Sequence, residues 1–221
     1  MENETHALRL GVLASGRGSN LEALLEAHDQ GRLAAQVAIV LSDRPDAPAL
    51  DRARRRGIPA LVIDPETTRA RLKPEIEERY VSALREAGVD WVVLAGFFRI
   101  IGAVLLENFP DRILNIHPSL LPSFPGLHAP RQALEYGVRI AGCTVHLVNA
   151  EIDQGSILAQ AAVPVLDRDD EETLAARILE QEHRLLVETV DRLAQARIRR
   201  EGRRVLWGET SPGITRPNGG D

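Results

Sequence analysis

The run Arg112-Ile-Leu-Asn-Ile-His-Pro-Ser-Leu-Leu-Pro122 and the later Asp153-Gln-Gly155 give one chain a carboxamide, an imidazole and a carboxylate at spacings that suit acyl transfer. Asn115 and His117 are two apart, so on an extended strand both side chains leave the same face. Pro118 ends the ladder directly after them, because it has no N–H to donate. A carboxamide and an imidazole at a strand end can stabilise developing negative charge and move a proton, the two demands of acyl transfer. A distant carboxylate such as Asp153 can hold the histidine protonated or fix its orientation. The plainer alternative is a hydrogen-bonded structural pair. The surroundings favour chemistry: Pro110, Pro118, Pro122, Pro125, Pro130 and Gly126 make a stiff, irregular loop that hydrophobic packing alone does not demand.

These side chains need a scaffold, and the rest of the chain reads as one. Residues 8–14 form a fully buried strand, and the turn Ser15-Gly-Arg-Gly-Ser-Asn20 leads into an amphipathic helix over 21–28. A strand at 37–41, helical spacing over 48–56 closed by Gly57, and a strand at 59–63 follow. A longer helix within 69–87 stops at Gly88 and hands over to a strand at 89–95. This alternation predicts an α/β fold: a doubly wound, mostly parallel Rossmann-like sheet with helices on both faces. Next come a short helix near 103–108, the strand 112–117 and a helix over 131–136 capped by Gly137. Strands at 144–149 and 157–165 have no helix between them and can pair antiparallel, giving an antiparallel C-terminal portion. A long helix over 171–196 starts near Asp169 or Asp170, and 203–207 reads as a small edge strand. The expected organisation is one domain over residues 1–207 with a flexible tail over 208–221.

Composition narrows the class. The 221 residues are 44% hydrophobic and 27% charged, as in a water-soluble globular protein. A formal charge of −5 argues against broad nucleic-acid binding, and the arginine clusters at 52–56 and 198–204 read as solvated faces. The longest strongly apolar stretch, 91–98, is too short to span a bilayer, and residues 1–9 contain no signal-peptide core. A cytoplasmic protein without a membrane or nucleic-acid partner is expected, as monomer or homodimer. The single Cys143 sits in an apolar run and reads as a small buried side chain. His128, His146 and His183 make no recognisable metal motif with it, so no metal is expected.

Two further segments bear on ligands. The turn at 15–20 lies between strand and helix, where several N–H groups can converge on one phosphate. An ordinary tight connection fits the segment equally, and Gly16-x-Gly18 with Asp43 beyond the second strand also allows a dinucleotide site and an NAD-dependent oxidoreductase. Leu21 stands where that fingerprint needs its third glycine, which favours a single phosphate. Leu94-Ala-Gly-Phe-Phe-Arg-Ile-Ile101 continues a buried strand toward the same sheet edge as Asn115 and His117. Gly96 permits close approach, while Phe98, Ile100 and Ile101 offer an apolar wall for a ring-containing ligand. Arg99 suits a salt bridge better than a ligand contact.

Together these segments, with Pro125-Gly-Leu-His128, Gly142-x-Thr-Val-His146 and Gln181-Glu-His183, resemble the phosphoribosylglycinamide formyltransferases of the formyl-folate transferase superfamily. The resemblance implies formyl transfer from 10-formyltetrahydrofolate as co-substrate to the amine of 5-phosphoribosylglycinamide in purine biosynthesis, without ATP or metal. It implies Asn115, His117 and Asp153 as catalytic residues, with Asp153 raising the pKa of His117. It implies Gly18, Ser19, Asn20, Leu179, Glu180, Gln181 and Glu182 for the nucleotide. For the formyl-folate it implies Lys73, Phe98, Arg99, Ile100, Ile101, Asn115, Asn149, Ala150, Glu151, Ile152 and Asp153. Lys73 stands where the family commonly has an arginine, and Phe98 where it commonly has a methionine. Related tRNA formyltransferases and formyl-folate hydrolases carry additional domains, which favours the nucleotide acceptor.

Overall fold

The computed structural model describes residues 7–210. Strands β1 (Leu8–Leu13), β2 (Ala35–Ser42), β3 (Ala60–Val62), β4 (Trp91–Leu94) and β5 (Ile113–His117) alternate with helices α1 (Ser19–Asp29), α2 (Pro48–Arg55), α3 (Pro74–Glu86) and α4 (Ala103–Asn108). Then come α5 (Ala129–Tyr136), β6 (Ile140–Leu147), β7 (Ile157–Pro164), α6 (Glu171–Gln195), β8 (Ala196–Glu201) and β9 (Arg204–Thr210). Seven strands form one sheet in the order β3-β2-β1-β4-β5-β6-β7. The first five run parallel, whereas β6 pairs antiparallel with both β5 and β7. The fold is the doubly wound α/β architecture read from the sequence.

Strand periodicity divides the core between two faces. Leu10 and Val12 of β1 join Leu24 of α1, Leu50 of α2 and Ile178 of α6, while Leu13 points to the opposite face with Ile76 and Leu84 of α3. Close packing of α3 on β1 depends on Gly11, where an added Cβ would run into the Leu84 side chain and press on Val89. Pro74 takes a first-turn position of α3, where its missing N–H costs nothing, so the preceding residues stay extended. Asp170 caps α6 by accepting from the Thr173 N–H at 2.8 Å, and the Thr173 hydroxyl returns the contact from the Asp170 N–H.

Two expectations change. Strand β6 begins at Ile140, before the expected 144, because small residues from Ala141 to Cys143 let it pair along the length of β7. The segment read as an edge strand over 203–207 is one arm of a separate β8–β9 hairpin, and residues 208–210 continue that strand instead of opening the tail. Ile198, Val205 and Trp207 pack the hairpin against the core, and the Arg192 guanidinium lies 4.2 Å from the Trp207 ring centroid. The remaining expected tail, 211–221, lies outside the described residues. Among the described residues no helix is long and apolar enough to cross a membrane.

Candidate active site

The chain passes from β1 outward to β3 and then returns to β4 on the other side of β1, so a crevice opens at the carboxyl ends of β1 and β4. Both exits are tied together there. The Ser15 N–H donates to the Gly96 carbonyl at 2.9 Å, and the Phe98 N–H donates to Ser15 Oγ at 2.9 Å. Gly18 caps α1 with φ +70°, and a Cβ there would strike Ala49 of α2. Helix α1 therefore opens with N–H groups that have no acceptor inside the helix, at the rim of the crevice.

Strand β5 delivers Asn115 and His117 to the same crevice. Its antiparallel register with β6 sets Asn115 opposite His146 and His117 opposite Thr144, so all four side chains share one face. The Nδ1–H of His146 donates to the Leu147 carbonyl at 2.8 Å, which leaves Nε2 to accept from Asn115 Nδ2 at 3.1 Å. Asp153 arrives from the β6–β7 loop with φ +53°. Its Oδ2 accepts from the Gly126 N–H at 2.8 Å and faces His117 Nδ1 at 3.5 Å, while Oδ1 lies 3.5 Å from Asn115 Nδ2 and 3.7 Å from His146 Nε2. His117 Nε2 donates to the Phe124 carbonyl at 2.9 Å. That bond selects the tautomer: in the neutral ring the lone pair sits on Nδ1, facing the carboxylate.

Electrostatics corrects one expectation. Burial pulls the His117 imidazole below its ordinary range, and although the Phe124 carbonyl and Asp153 pull upward, burial outweighs them. Asp153 thus raises the histidine's pKa in sign only, without carrying it above 6.5. For Asp153 itself, burial pushes the carboxyl up, but the hydrogen bond from the Gly126 N–H and the nearness of the His146 and His117 imidazoles outweigh burial and hold it low. A neutral base therefore faces an ionised carboxylate across a gap slightly wider than a hydrogen bond. Once Nδ1 takes a proton, the pair becomes an ion pair.

The crevice encloses about 650 Å³. Its walls include Gly18, Ser19 and Asn20 at the start of α1, Leu179 and Glu182 of α6, Phe98, Arg99, Ile100 and Ile101 beyond β4, Asn149, Ala150, Glu151, Ile152 and Asp153 beyond β6, and Asn115 and His117 of β5. The family model described as formyl transferase matches residues 8–190, which carry every one of these walls. The chain belongs to the formyl transferase family. A solved glycinamide ribonucleotide transformylase from Symbiobacterium toebii is 50% identical, with a TM-score of 0.87 over 92% of this chain and 95% of that one. A phosphoribosylglycinamide formyltransferase from Mycobacterium tuberculosis H37Rv is 45% identical over 90% of this chain and 91% of its own. The trifunctional purine biosynthetic protein adenosine-3 of Drosophila pseudoobscura pseudoobscura is 43% identical over 87% of this chain, which spans only 14% of that relative.

Within this formyl transferase framework, several expected site residues sit elsewhere. Helix α6 turns Leu179 and Glu182 inward, so Glu180 and Gln181 fall off that face; Glu180 is exposed, and Gln181 Oε1 accepts from Arg184. Lys73 lies at the start of α3 beside Glu75, outside the crevice wall, and Ala70 lines the wall in that region. The Arg99 guanidinium is engaged by Asp43 at 2.6 Å and by the carbonyls of Thr67 and Arg69 at 3.2 and 2.8 Å. Arg99 therefore offers the wall its backbone and stem. The same pair turns Asp43 into the protein, away from the ribose that a dinucleotide site would present.

Glu182 is buried and accepts from Asn20 Nδ2 at 2.8 Å; burial pushes its carboxyl up, and the Asn20 bond offsets part of that. Cys143 is buried as read from the sequence, its thiol pushed up to about 12 by burial. His146 was absent from the expected site. The signal lay in Thr144-x-His146, two polar residues on one face of an otherwise apolar strand.

Proposed function

We propose that the protein transfers the formyl group of 10-formyltetrahydrofolate to the primary amine of 5-phosphoribosylglycinamide, with Asn115, His117 and Asp153 assisting and without ATP or metal. The observation that carries this reading is the placement of those three side chains in one crevice, between a helix start suited to phosphate and an apolar mouth. Phe98, Leu127 and Ile152 stand 62%, 74% and 53% exposed around that mouth, apolar surface that a flat heterocycle would cover. The volume is that of a small-ligand site.

The formyl-folate supplies a formyl group already activated for transfer. Asn115 Nδ2 keeps one hydrogen on His146 Nε2 and turns the other from its longer contact with Asp153 Oδ1 to the formyl oxygen as negative charge develops there. His117 Nδ1 takes the proton that the attacking amine sheds. The imidazolium formed is stabilised by Asp153 on one edge and the Phe124 carbonyl on the other, and it returns the proton to the departing nitrogen. At the nucleotide end, Ser19 and Asn20 N–H groups hold the phosphate, while the buried Glu182 carboxyl faces the sugar hydroxyls.

Purified protein mixed with 10-formyltetrahydrofolate and 5-phosphoribosylglycinamide should release tetrahydrofolate only when both are present, and added chelator or omission of ATP should not change the rate. Release that proceeds equally without the nucleotide would mark a hydrolase and overturn the assignment.

A further inference from the structure

We infer that the Asp43–Arg99 ion pair is a positioning element that shapes the formyl-folate side of the crevice by clasping residues 64–72 to the exit of β4. This rests on the formyl-folate reading above. The Asp43 side chain, directly after β2, is 2% exposed, and that of Arg99 is 18% exposed. One planar guanidinium joins three separate segments: Nε donates to Asp43 Oδ2 at 2.6 Å, and Nη1 donates to the carbonyls of Thr67 and Arg69. Beside this fork the two segments zip together. The Ile100 N–H donates to the Ala70 carbonyl at 2.9 Å, the Leu72 N–H to the Ile100 carbonyl at 3.0 Å, and Arg71 Nη1 to the Ile101 carbonyl at 3.3 Å.

The clasp has a direct line to the ligand. Ala70, Phe98, Ile100 and Ile101 line the crevice, so the backbone that Arg99 holds is the wall itself. Asp43 does not line it, and its second oxygen, Oδ1, is buried without a hydrogen-bond donor. Removing the carboxylate leaves a mostly buried guanidinium without its counter-charge, a state that drives local rearrangement toward solvent. The turn meets the clasped segment at Ser15, through the Gly96 carbonyl and the Phe98 N–H, whereas Glu182 is held by Asn20 of α1 and is no hydrogen-bond partner of Arg99 or Asp43. Asp43 is thus a positioning residue that acts through Arg99, first on the wall formed by Ala70, Phe98, Ile100 and Ile101.

The test uses the full chain with Asp43→Leu and Asp43→Asn, tetrahydrofolate binding by titration calorimetry, and steady-state kinetics with each substrate varied. Asp43→Leu should weaken tetrahydrofolate and raise the formyl-folate KM about tenfold, with the nucleotide KM and kcat within about twofold. Asp43→Asn keeps an acceptor for Arg99 Nε and should recover part of the loss. If Asp43→Leu does not fold, Asp43→Ser carries the test, since it removes the charge without adding apolar bulk, and the same selective rise is expected. Parental tetrahydrofolate affinity in folded variants, or equal rises in both KM values, would overturn the inference. A parent protein that fails to bind tetrahydrofolate would overturn the formyl-folate reading and this inference with it.

Discussion

Nδ1 of His117 is the atom whose charge changes in the proposed cycle, and three neighbours decide when it changes. Nε2 is committed to the Phe124 carbonyl, burial favours the neutral ring, and Asp153 waits 3.5 Å away to receive the imidazolium. Because the neutral ring must accept the amine's proton, kcat/KM should rise with pH through a midpoint below 6.5 and then level off. Asp153 pulls that midpoint upward, so Asp153→Asn should move it lower and reduce the plateau. A profile identical to the parent would break the proposed coupling. The same-face placement of Asn115 and His117 was legible because strand periodicity is local. The role of His146 was not, since it reaches Asn115 only through the pairing of β5 with β6.

At the scale of elements, the site depends on backbones that approach too closely for a side chain. Gly155 follows the Asp153 loop and lies against the Leu147 carbonyl, the same oxygen that orients His146; an added Cβ would run into it. No rotamer relieves a clash with backbone. Gly155→Ala should lower stability by about 1–3 kcal/mol. It should also reduce activity by more than the loss of folded protein explains, because the strained loop carries Asp153. Full specific activity in the folded fraction, measured beside a thermal melt, would contradict this. Elements with clear periodicity and caps were readable, including the βα alternation and the Asp170 start of α6. The β8–β9 hairpin was less so: its arginine-rich arms hide the alternation that Ile198, Val205 and Trp207 carry on its packed face. Likewise, Glu180 and Gln181 neighbour Glu182 in sequence, yet helix geometry sends them away from the crevice.

For the whole molecule, buried histidines couple the site to stability. Burial lowers the imidazoles of both His117 and His183, with nearby carboxylates offsetting part of each effect. The folded state then binds fewer protons than the unfolded chain. Their contribution is complete above 6.5 and is lost as pH falls through the lowered folded values. Glu182, whose carboxyl burial raises, acts in the opposite sense as pH climbs above 4.5 and flattens part of that fall. The thermal midpoint should decline from pH 7 to about 5, less steeply in His183→Gln; a midpoint that rises on acidification would contradict the assignment. The most direct measurement is turnover by His117→Ala at saturating 10-formyltetrahydrofolate and 5-phosphoribosylglycinamide, alongside nucleotide binding by calorimetry. Turnover should drop roughly a thousandfold while nucleotide affinity stays within about twofold. Parental turnover would contradict the proton-transfer role on which the account rests.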